Sequence, residues 1–187
     1  MKKIPDNAKK VFEGVIFDVY HWDQEMFDGS TETFEALKRR DCASILATVG
    51  NKIIINHEEQ PMKEPFISIP GGSIEQGTPL EGAKRELLEE TGYSTEEWQE
   101  WFSSDPSNMT KLEWNNYFFI AKNCNKVAEQ ALDGGEKIKV TLVTFEEFLE
   151  LRNNQKFRNQ DLIPLLKKAA ENEEEKQKLK DLLGITD

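Results

Sequence analysis

Residues 70–93 read PGGSIEQGTPLEGAKRELLEETGY, and this stretch decides the interpretation of the chain. A glycine-rich loop leads into a segment with helical spacing. Thr78 and Glu81 can form a Thr-x-x-Glu capping box, and a proline follows the cap. Gly92 can adopt the left-handed conformation that closes a helix. The pattern therefore predicts a helix over residues 79–91.

This helix carries an acidic cluster. At 3.6 residues per turn, Glu86, Glu89 and Glu90 fall within one narrow sector, beside an apolar stripe that faces a core. Like charges at i and i+4, such as Glu86 and Glu90, destabilise a bare helix by about 0.2–0.5 kcal/mol. Arg85 can orient Glu89 through an i,i+4 pair. An isolated Glu-x-x-Glu-Glu is usually a solvated face, but the glycine loop and the arginine favour a site for divalent metal and diphosphate.

The motif resembles the box of the Nudix hydrolase family, G-x5-E-x7-R-E-U-x-E-E-x-G-U, where U is aliphatic or aromatic. Residues 85–93, RELLEETGY, match its second half at every specified position if Tyr93 counts as U. In the first half, Gly77 is followed directly by Thr78, as though the family's glutamate and one loop position were deleted. The resemblance implies that this glutamate mainly supports the box arginine and the helix start.

The resemblance extends beyond the box. Residues 66–72, FISIPGG, are similar to the strand and turn that precede it in ADP-ribose and nucleoside-diphosphate-sugar pyrophosphatases. Residues 132–149 are similar to the strand module that follows it. The resemblance implies an α/β fold of the α+β type, a Nudix-like α/β/α sandwich with a mixed sheet and a loop-helix-loop motif. We expect one domain over residues 1–187, with a core at about 11–152 and charged helices at 159–184.

The resemblance also implies roles for individual residues. The implied ligands for one to three Mg²⁺ or Mn²⁺ ions are Glu86, Glu89, Glu90 and the backbone carbonyl of Gly71. The implied catalytic residues are Glu89, Glu136 and Arg85, with Glu136 or a box glutamate taking a proton from water. The implied substrate-binding residues are Arg40 and Gly72. From the residues alone, Glu136 is an exposed loop acid and Arg40 belongs to a basic pair of the kind that is usually solvated.

These roles predict a metal-dependent pyrophosphohydrolase that cleaves ADP-ribose or a related nucleoside diphosphate sugar into a nucleoside monophosphate and a sugar phosphate. No arginine stands in residues 58–61, at the place of a substrate-side segment in the classical ADP-ribose enzymes. Two alternatives stay open. The box also supports hydrolysis of dinucleoside polyphosphates or nucleoside triphosphates, and the missing glutamate allows a non-hydrolytic nucleotide sensor.

Composition and net charge limit the expected partners and the expected cellular location. The net charge is −11, with 24 Lys and Arg against 35 Asp and Glu. This charge repels polyanions, so we expect a small-molecule nucleotide partner and no nucleic acid. The sequence contains no long apolar span, so we expect no membrane partner. Two cysteines, Cys42 and Cys124, are too few for a disulfide framework, and a reducing cytoplasm is the expected location.

The remaining patterns are strands, helices and scattered aromatics. Val11 to Tyr20 alternates like a strand. The resemblance to ADP-ribose-type pyrophosphatases, which commonly pair through their N-terminal strands, implies a homodimer in which the segment from Val11 to Trp22 crosses to another subunit. The alternative is a strand folded back on its own sheet. Residues 173–183 have helical spacing but so much charge that we expect them to cover little of a core. Several aromatics either stack on a base or fill the core: Trp22, Phe27, Trp98, Trp101 and Trp114.

Overall fold

The computed structural model describes residues 3–105 and 111–186, which form thirteen strands and four α-helices. The strands are β1 (Lys9–Phe12), β2 (Phe17–Glu25), β3 (Thr31–Arg39), β4 (Cys42–Val49), β5 (Lys52–Glu59), β6 (Phe66–Ser68), β7 (Gly71–Ser73), β8 (Tyr93–Ser94), β9 (Glu97–Ser104), β10 (Leu112–Glu113), β11 (Asn116–Lys122), β12 (Asn125–Lys126) and β13 (Lys137–Val143). The helices are α1 (Pro79–Thr91), α2 (Phe145–Glu150), α3 (Ile163–Glu171) and α4 (Glu173–Leu183), with 3-10 turns at Leu151–Asn153 and Gln160–Leu162.

The central sheet is mixed. Its strand order is β13-β5-β4-β11-β9, with β6 paired to β5 and β7 paired to β4. The β4 and β11 strands run parallel, whereas the other neighbours are antiparallel. A second sheet has the order β1-β2-β3-β10, and β8 pairs with β12.

Helices cover both faces of the central sheet. Along β4, Ala43 and Ile45 pack with the α1 residues Ala83 and Leu87 in one buried cluster. Leu46, on the opposite face, belongs to a second buried cluster that includes residues of α2, α3 and α4. The predicted α/β/α sandwich with a mixed sheet is confirmed. The assignment of residues 1–187 to one domain stays a prediction.

Helix α1 begins and ends where the sequence predicts. The Thr78 hydroxyl accepts a hydrogen bond from the Glu81 amide at 3.3 Å, and the Glu81 carboxylate accepts one from the Thr78 amide at 2.7 Å. Gly92 closes the helix at φ 71°, and its amide donates to the Leu88 carbonyl at 2.7 Å. A capping box of this kind satisfies backbone donors at the helix start without the glutamate that the Nudix box usually carries there.

The N-terminal strand prediction is wrong in one respect. The segment from Val11 to Tyr20 is two strands, because the chain turns between β1 and β2 instead of continuing. The two strands pair antiparallel, with Phe12 opposite Val19, and β2 pairs along its whole length with β3. A hairpin keeps the alternation of apolar residues that predicted a single long strand, so the pattern alone did not reveal the turn.

The C-terminal helix α4 is also more buried than its charge predicted. Leu179 and Leu183 are 3% and 1% exposed, and Ile185 beyond the helix is 6% exposed. These side chains pack in the cluster beneath the central sheet, while the charged residues face outward. The expectation that residues 173–183 cover little of the core is therefore wrong. Three apolar side chains on one side of this segment are enough to cover that part of the core.

We expect Leu183→Ala to lower the free energy of unfolding by about 2–5 kcal/mol, because truncating a fully buried leucine removes packing and leaves a cavity. Urea denaturation measures the change. The matched control is Gln177→Ala on the exposed side of α4, which should stay within about 0.5 kcal/mol of the parent. Equal effects of both substitutions would contradict the packing of α4 described above.

Most of the aromatic candidates for base stacking pack against other aromatics. Trp98 makes an edge contact with Phe119 at 6.5 Å between ring centroids, and Trp101 contacts Phe102 at 4.8 Å. Trp22 lies 5.8 Å from Phe34. Within residues 3–105 and 111–186, no helix combines the length and apolarity needed to cross a membrane.

Candidate active site

The β7–α1 segment and the β5 strand bring the acidic residues together. Glu90 is 5% exposed and accepts hydrogen bonds at one oxygen from the Asn56 side-chain amide at 3.0 Å and the Gly71 backbone amide at 2.9 Å. Burial raises the pKa of Glu90 well above its ordinary value, although the Gly71 hydrogen bond opposes the shift. A carboxylate this deep is stable as an anion only beside a compensating positive charge.

Arg85 pairs with the other two carboxylates of the box, Glu86 and Glu89. Its guanidinium donates to Glu86 at 2.5 Å, to Glu89 at 2.5 Å and to the Ser73 carbonyl at 2.9 Å. The Arg85–Glu89 pair predicted from the i,i+4 spacing is present. Arg85 therefore orders two of the three predicted metal-ligand carboxylates.

Gly72 makes room for the Glu86 carboxylate. A Cβ atom at Gly72 would lie 2.5 Å from the Glu86 carboxyl carbon, closer than real Cβ contacts allow. The Glu86 side chain is 13% exposed, and burial raises its pKa to about 7, although Arg85 opposes the shift. A side chain at position 72 would displace this carboxylate, which is why the second glycine of the loop matters to the site.

Gly71 has a different constraint. It has φ 155°, and a Cβ atom there would collide with the Ala43 carbonyl oxygen in β4. Its amide holds Glu90, as described above, so the residue positions a carboxylate through its backbone. The use of its carbonyl as a metal ligand stays a prediction.

Glu136 lies in the loop between β12 and β13, which is fastened to the end of α1. The Gln130 side chain donates to the Glu90 carbonyl at 2.5 Å and the Ile138 carbonyl at 3.0 Å, and the Ala131 amide donates to the Glu89 carbonyl at 2.9 Å. Burial, with a contribution from the Asp133 charge, raises the pKa of Glu136. The loop that carries Glu136 is thus held by hydrogen bonds to the C-terminal end of α1.

Sequence reasoning missed Glu58. This residue is 6% exposed on β5, and its carboxylate accepts hydrogen bonds from the Ser68 hydroxyl and from the Gln60 side chain at 3.3 Å. Burial raises the pKa of Glu58, and the charge of Glu136 adds to the shift. A signal was available, because the apolar run of β5 ends in polar residues at positions 56 and 58, on one face of the strand.

Arg40 does not contact the acidic residues of the box. Its guanidinium lies 3.1 Å from Glu75 in the loop before α1, and its side chain is 59% exposed. Substrate binding by Arg40 stays a prediction, and it would require exchange of the Glu75 partner for an anion of the substrate.

The residues fit a divalent cation by their chemistry. Within the described part of the chain, no three His, Cys, Asp or Glu side chains converge closely enough to form a ready metal cage. Glu86 and Glu90 are nevertheless buried carboxylates with raised pKa values, and the other acids of the cluster add negative charge around them. Hard oxygen donors under mutual repulsion favour a small divalent cation, which would relieve the excess charge.

Comparison with known proteins decides the family. The family model described as the NUDIX domain matches residues 38–166, more than half of the chain. The chain belongs to the NUDIX domain family. It is a Nudix hydrolase, and the box and its loops described above are the family's characteristic segment in this chain.

Individual relatives agree with this placement. The Nudix chain is 29% identical to the ADP-ribose pyrophosphatase of Bacillus subtilis (strain 168) over 149 residues, 76% of this chain and 79% of the relative. It is also 29% identical to the methanol dehydrogenase activator of Bacillus methanolicus over 147 residues, with the same coverage of each chain. A crystal structure of an ADP compounds hydrolase superimposes with a TM-score of 0.69 at 18% identity, covering 89% of this chain and 91% of the other, which shows the shared fold.

The high pKa of Glu86 has a consequence for stability. Folded Glu86 keeps its proton up to pH about 7, whereas an unfolded glutamate releases it near 4.5. Between these values the folded state binds more protons, so the stability of the metal-free protein falls as pH rises, by up to about 3 kcal/mol from this group. We expect Glu86→Gln, measured in EDTA, to flatten the fall in melting temperature between pH 5 and pH 8. Parallel curves for the two proteins would show that Glu86 does not titrate in this range.

Proposed function

We propose that this Nudix hydrolase cleaves the diphosphate of ADP-ribose or a related nucleoside diphosphate sugar, with Mg²⁺ or Mn²⁺ as cofactor. The observation that carries the proposal is the set of three box carboxylates on α1, in which Glu90 is buried and Arg85 holds Glu86 and Glu89. The similarity to an ADP-ribose pyrophosphatase and to the fold of an ADP compounds hydrolase supports the substrate class.

The box carboxylates and Arg85 have separate parts in the proposed reaction. A bound divalent metal neutralises the diphosphate and makes water more acidic. Glu86 and Glu90, helped by Glu89, would hold the metal, while Arg85 keeps two of these carboxylates in place. Burial and the Arg85 pairs restrict the side chains, which lowers the cost of arranging them for reaction.

Glu136 is the residue we assign as general base, with a box glutamate as the alternative. A water oxygen attacks phosphorus, the bond from that phosphorus to the bridging oxygen breaks, and the bridging oxygen leaves with the other phosphate. The proton lost by the water passes to the Glu136 carboxylate. Its raised pKa makes Glu136 a stronger base than an ordinary glutamate. The products from ADP-ribose are AMP and ribose 5-phosphate.

A substrate panel tests the proposal. ADP-ribose, other nucleoside diphosphate sugars, dinucleoside polyphosphates and nucleoside triphosphates are each incubated with Mg²⁺, Mn²⁺ or EDTA, and the products are identified by chromatography. We expect fastest turnover of a nucleoside diphosphate sugar, with metal. Preference for a polyphosphate would favour the second reaction class, and binding without turnover of any compound would favour a sensor.

We also propose that the protein is a homodimer that acts in the reducing cytoplasm. Both cysteines are free, in agreement with a reducing compartment. The β1–β2 hairpin exposes neighbouring apolar side chains, with Phe12 61%, Val15 96% and Ile16 62% exposed. Exposed apolar groups that lie together in sequence favour association with a matching surface, and a second copy offers one.

We expect the parent protein to scatter light as a dimer at micromolar concentration and Val15→Glu with Ile16→Glu to produce monomers, because two buried charges would disfavour the interface. The matched control is Phe27→Glu, a fully exposed apolar residue in the turn after β2. A parent mass near 21.6 kDa would contradict the dimer. Turnover measured on the monomeric variant shows whether the partner contributes to the site.

A further inference from the structure

A cluster of two cations and one aromatic ring lies beside the acidic residues. The Arg158 guanidinium lies 4.8 Å from the centroid of the Phe66 ring, and the Lys63 ammonium lies 5.8 Å from it. We call Lys63, Phe66 and Arg158 the cationic clamp. Arginine and lysine side chains at these distances are attracted to an aromatic ring, which restricts where they can lie.

Strand pairing places the clamp on the same face of the sheet as the carboxylates. In the β5–β6 pair, Phe66 lies opposite Glu58 and Ser68 lies opposite Asn56. Residues directly opposite in an antiparallel pair project to the same side. Asn56 contacts Glu90 of α1, so the Phe66 ring is a cross-strand neighbour of the acidic site.

Hydrogen bonds hold the segments that carry the cationic clamp. The Arg158 amide donates to the Ile67 carbonyl at 2.8 Å, and the Ile67 amide donates to the Lys156 carbonyl at 2.8 Å. Lys63 lies in the turn after β5, where its ammonium donates to the Gln60 side chain at 2.5 Å. The two cations thus come from distant parts of the sequence but are held at one edge of the site by hydrogen bonds.

The cations act on the acidic site. Burial raises the pKa of Glu58, and the charges of Arg158 and Lys63 oppose that shift. Burial and the neighbouring Arg158 charge lower the pKa of Lys63. Among residues 3–105 and 111–186, neither Lys63 nor Arg158 has a carboxylate partner within 4.0 Å, although the chain carries 35 acids. Two cations that repel each other and lack an ion-pair partner form a place where an anion is stabilised.

We propose that the cationic clamp binds the phosphate of the diphosphate that lies farther from the α1 carboxylates. This inference rests on the proposed diphosphate substrate. A cation held by the box carboxylates neutralises charge on the phosphate nearest to it, and a second positive site beyond the carboxylates stabilises the other phosphate. Arg158 offers a planar fork that matches phosphate oxygens, and Lys63 adds a point charge beside the same ring. Specificity for a diphosphate over a monophosphate follows from this second contact.

Inorganic pyrophosphate is the probe, because it carries two phosphates and no nucleoside. Calorimetric titration at fixed Mg²⁺ gives its dissociation constant for the parent, Arg158→Gln, Lys63→Gln and the double variant. We expect about tenfold weaker binding for each single variant and a larger loss for the double variant. Arg158→Lys, which keeps the charge but loses the fork, should fall between the parent and Arg158→Gln.

The matched control is Lys168→Gln on α3, which removes the same charge from an exposed side chain paired with Glu175 at 2.9 Å. It should bind pyrophosphate within about twofold of the parent, and all variants should keep their melting temperatures and Mg²⁺ affinity. Unchanged pyrophosphate binding in the clamp variants, or no pyrophosphate binding by the parent, would overturn the inference. Failure of the proposed function is a separate result, because it appears as an absence of turnover across the substrate panel.

Discussion

Glu90→Gln should lower kcat by at least about 10²-fold while the protein stays folded. An amide is a neutral and poorer ligand for a hard cation, so the substitution removes charge where the mechanism needs it. The fold should persist because glutamine has the shape of glutamate and can accept the bonds from Asn56 and Gly71. Among residues 3–105 and 111–186, the Asn56 side-chain oxygen has no hydrogen-bond partner, so it can accept from the amide that the substitution introduces.

The control for this substitution is Glu146→Gln, the same chemical change at an exposed glutamate of α2 that pairs with Lys176. It should leave kcat within about twofold of the parent. Near-parent turnover in Glu90→Gln would contradict the assignment of the box as the reaction centre. We also expect Glu89→Gln to be damaging, partly because Arg85 loses a partner.

Gly72→Ala should lower kcat by about 10²-fold, because the added methyl group forces the Glu86 carboxylate out of its place. A displacement of about 1 Å at a reacting group can cost this much. The expected loss is in activity and metal affinity more than in stability, since the Glu86 side chain can move toward solvent. Steady-state kinetics with Mg²⁺ titration and a thermal melt separate the two.

The matched control is Gly134→Ala in the loop that carries Glu136. A Cβ atom at Gly134 meets nothing within 4 Å, so the same substitution there should leave kcat within about twofold. If Gly72→Ala retains parent activity, then the Glu86 carboxylate can move without loss of turnover. That result would contradict its role as a fixed metal ligand.

Local sequence patterns predicted the box well because the relevant interactions are local. The cap at Thr78, the closing residue Gly92 and the Arg85–Glu89 pair all join residues within about one turn of helix. Such interactions depend on spacing alone, and spacing is visible in the sequence. The β4–β5 hairpin is also local in this sense, because its turn lies between two apolar runs that are adjacent in sequence.

The rest of the site depends on strand register. Glu58 lies near the box carboxylates because it is on β5, where Asn56 contacts Glu90 of α1 and β6 pairs alongside. Arg158 lies near Glu58 because Phe157 forms a β-bridge with Ile67 of β6. These contacts join residues far apart in sequence, and periodicity within a segment does not specify which segments pair. The sequence therefore predicted the position of the box carboxylates on α1, but it did not reveal Glu58 or the cations Lys63 and Arg158 near them.

The errors in the fold have a related cause. The β1–β2 turn interrupts an alternation that continues on both sides, so pattern alone favoured one strand from Val11 to Tyr20. Helix α4 looked solvent-exposed because its composition is charged, yet Leu179 and Leu183 fall on one face and are buried. In both cases the overall residue pattern of a segment did not indicate the few residues that determine its contacts.

Hydrolysis of ADP-ribose in ¹⁸O-labelled water, with Mg²⁺ or with EDTA, tests the central claim most directly. Mass spectrometry of the products shows which bond breaks and whether water supplies the new oxygen. We predict AMP and ribose 5-phosphate with one labelled oxygen in one of the two phosphates, and no cleavage in EDTA. Cleavage that persists in EDTA, or products other than these two phosphate monoesters, would contradict the account.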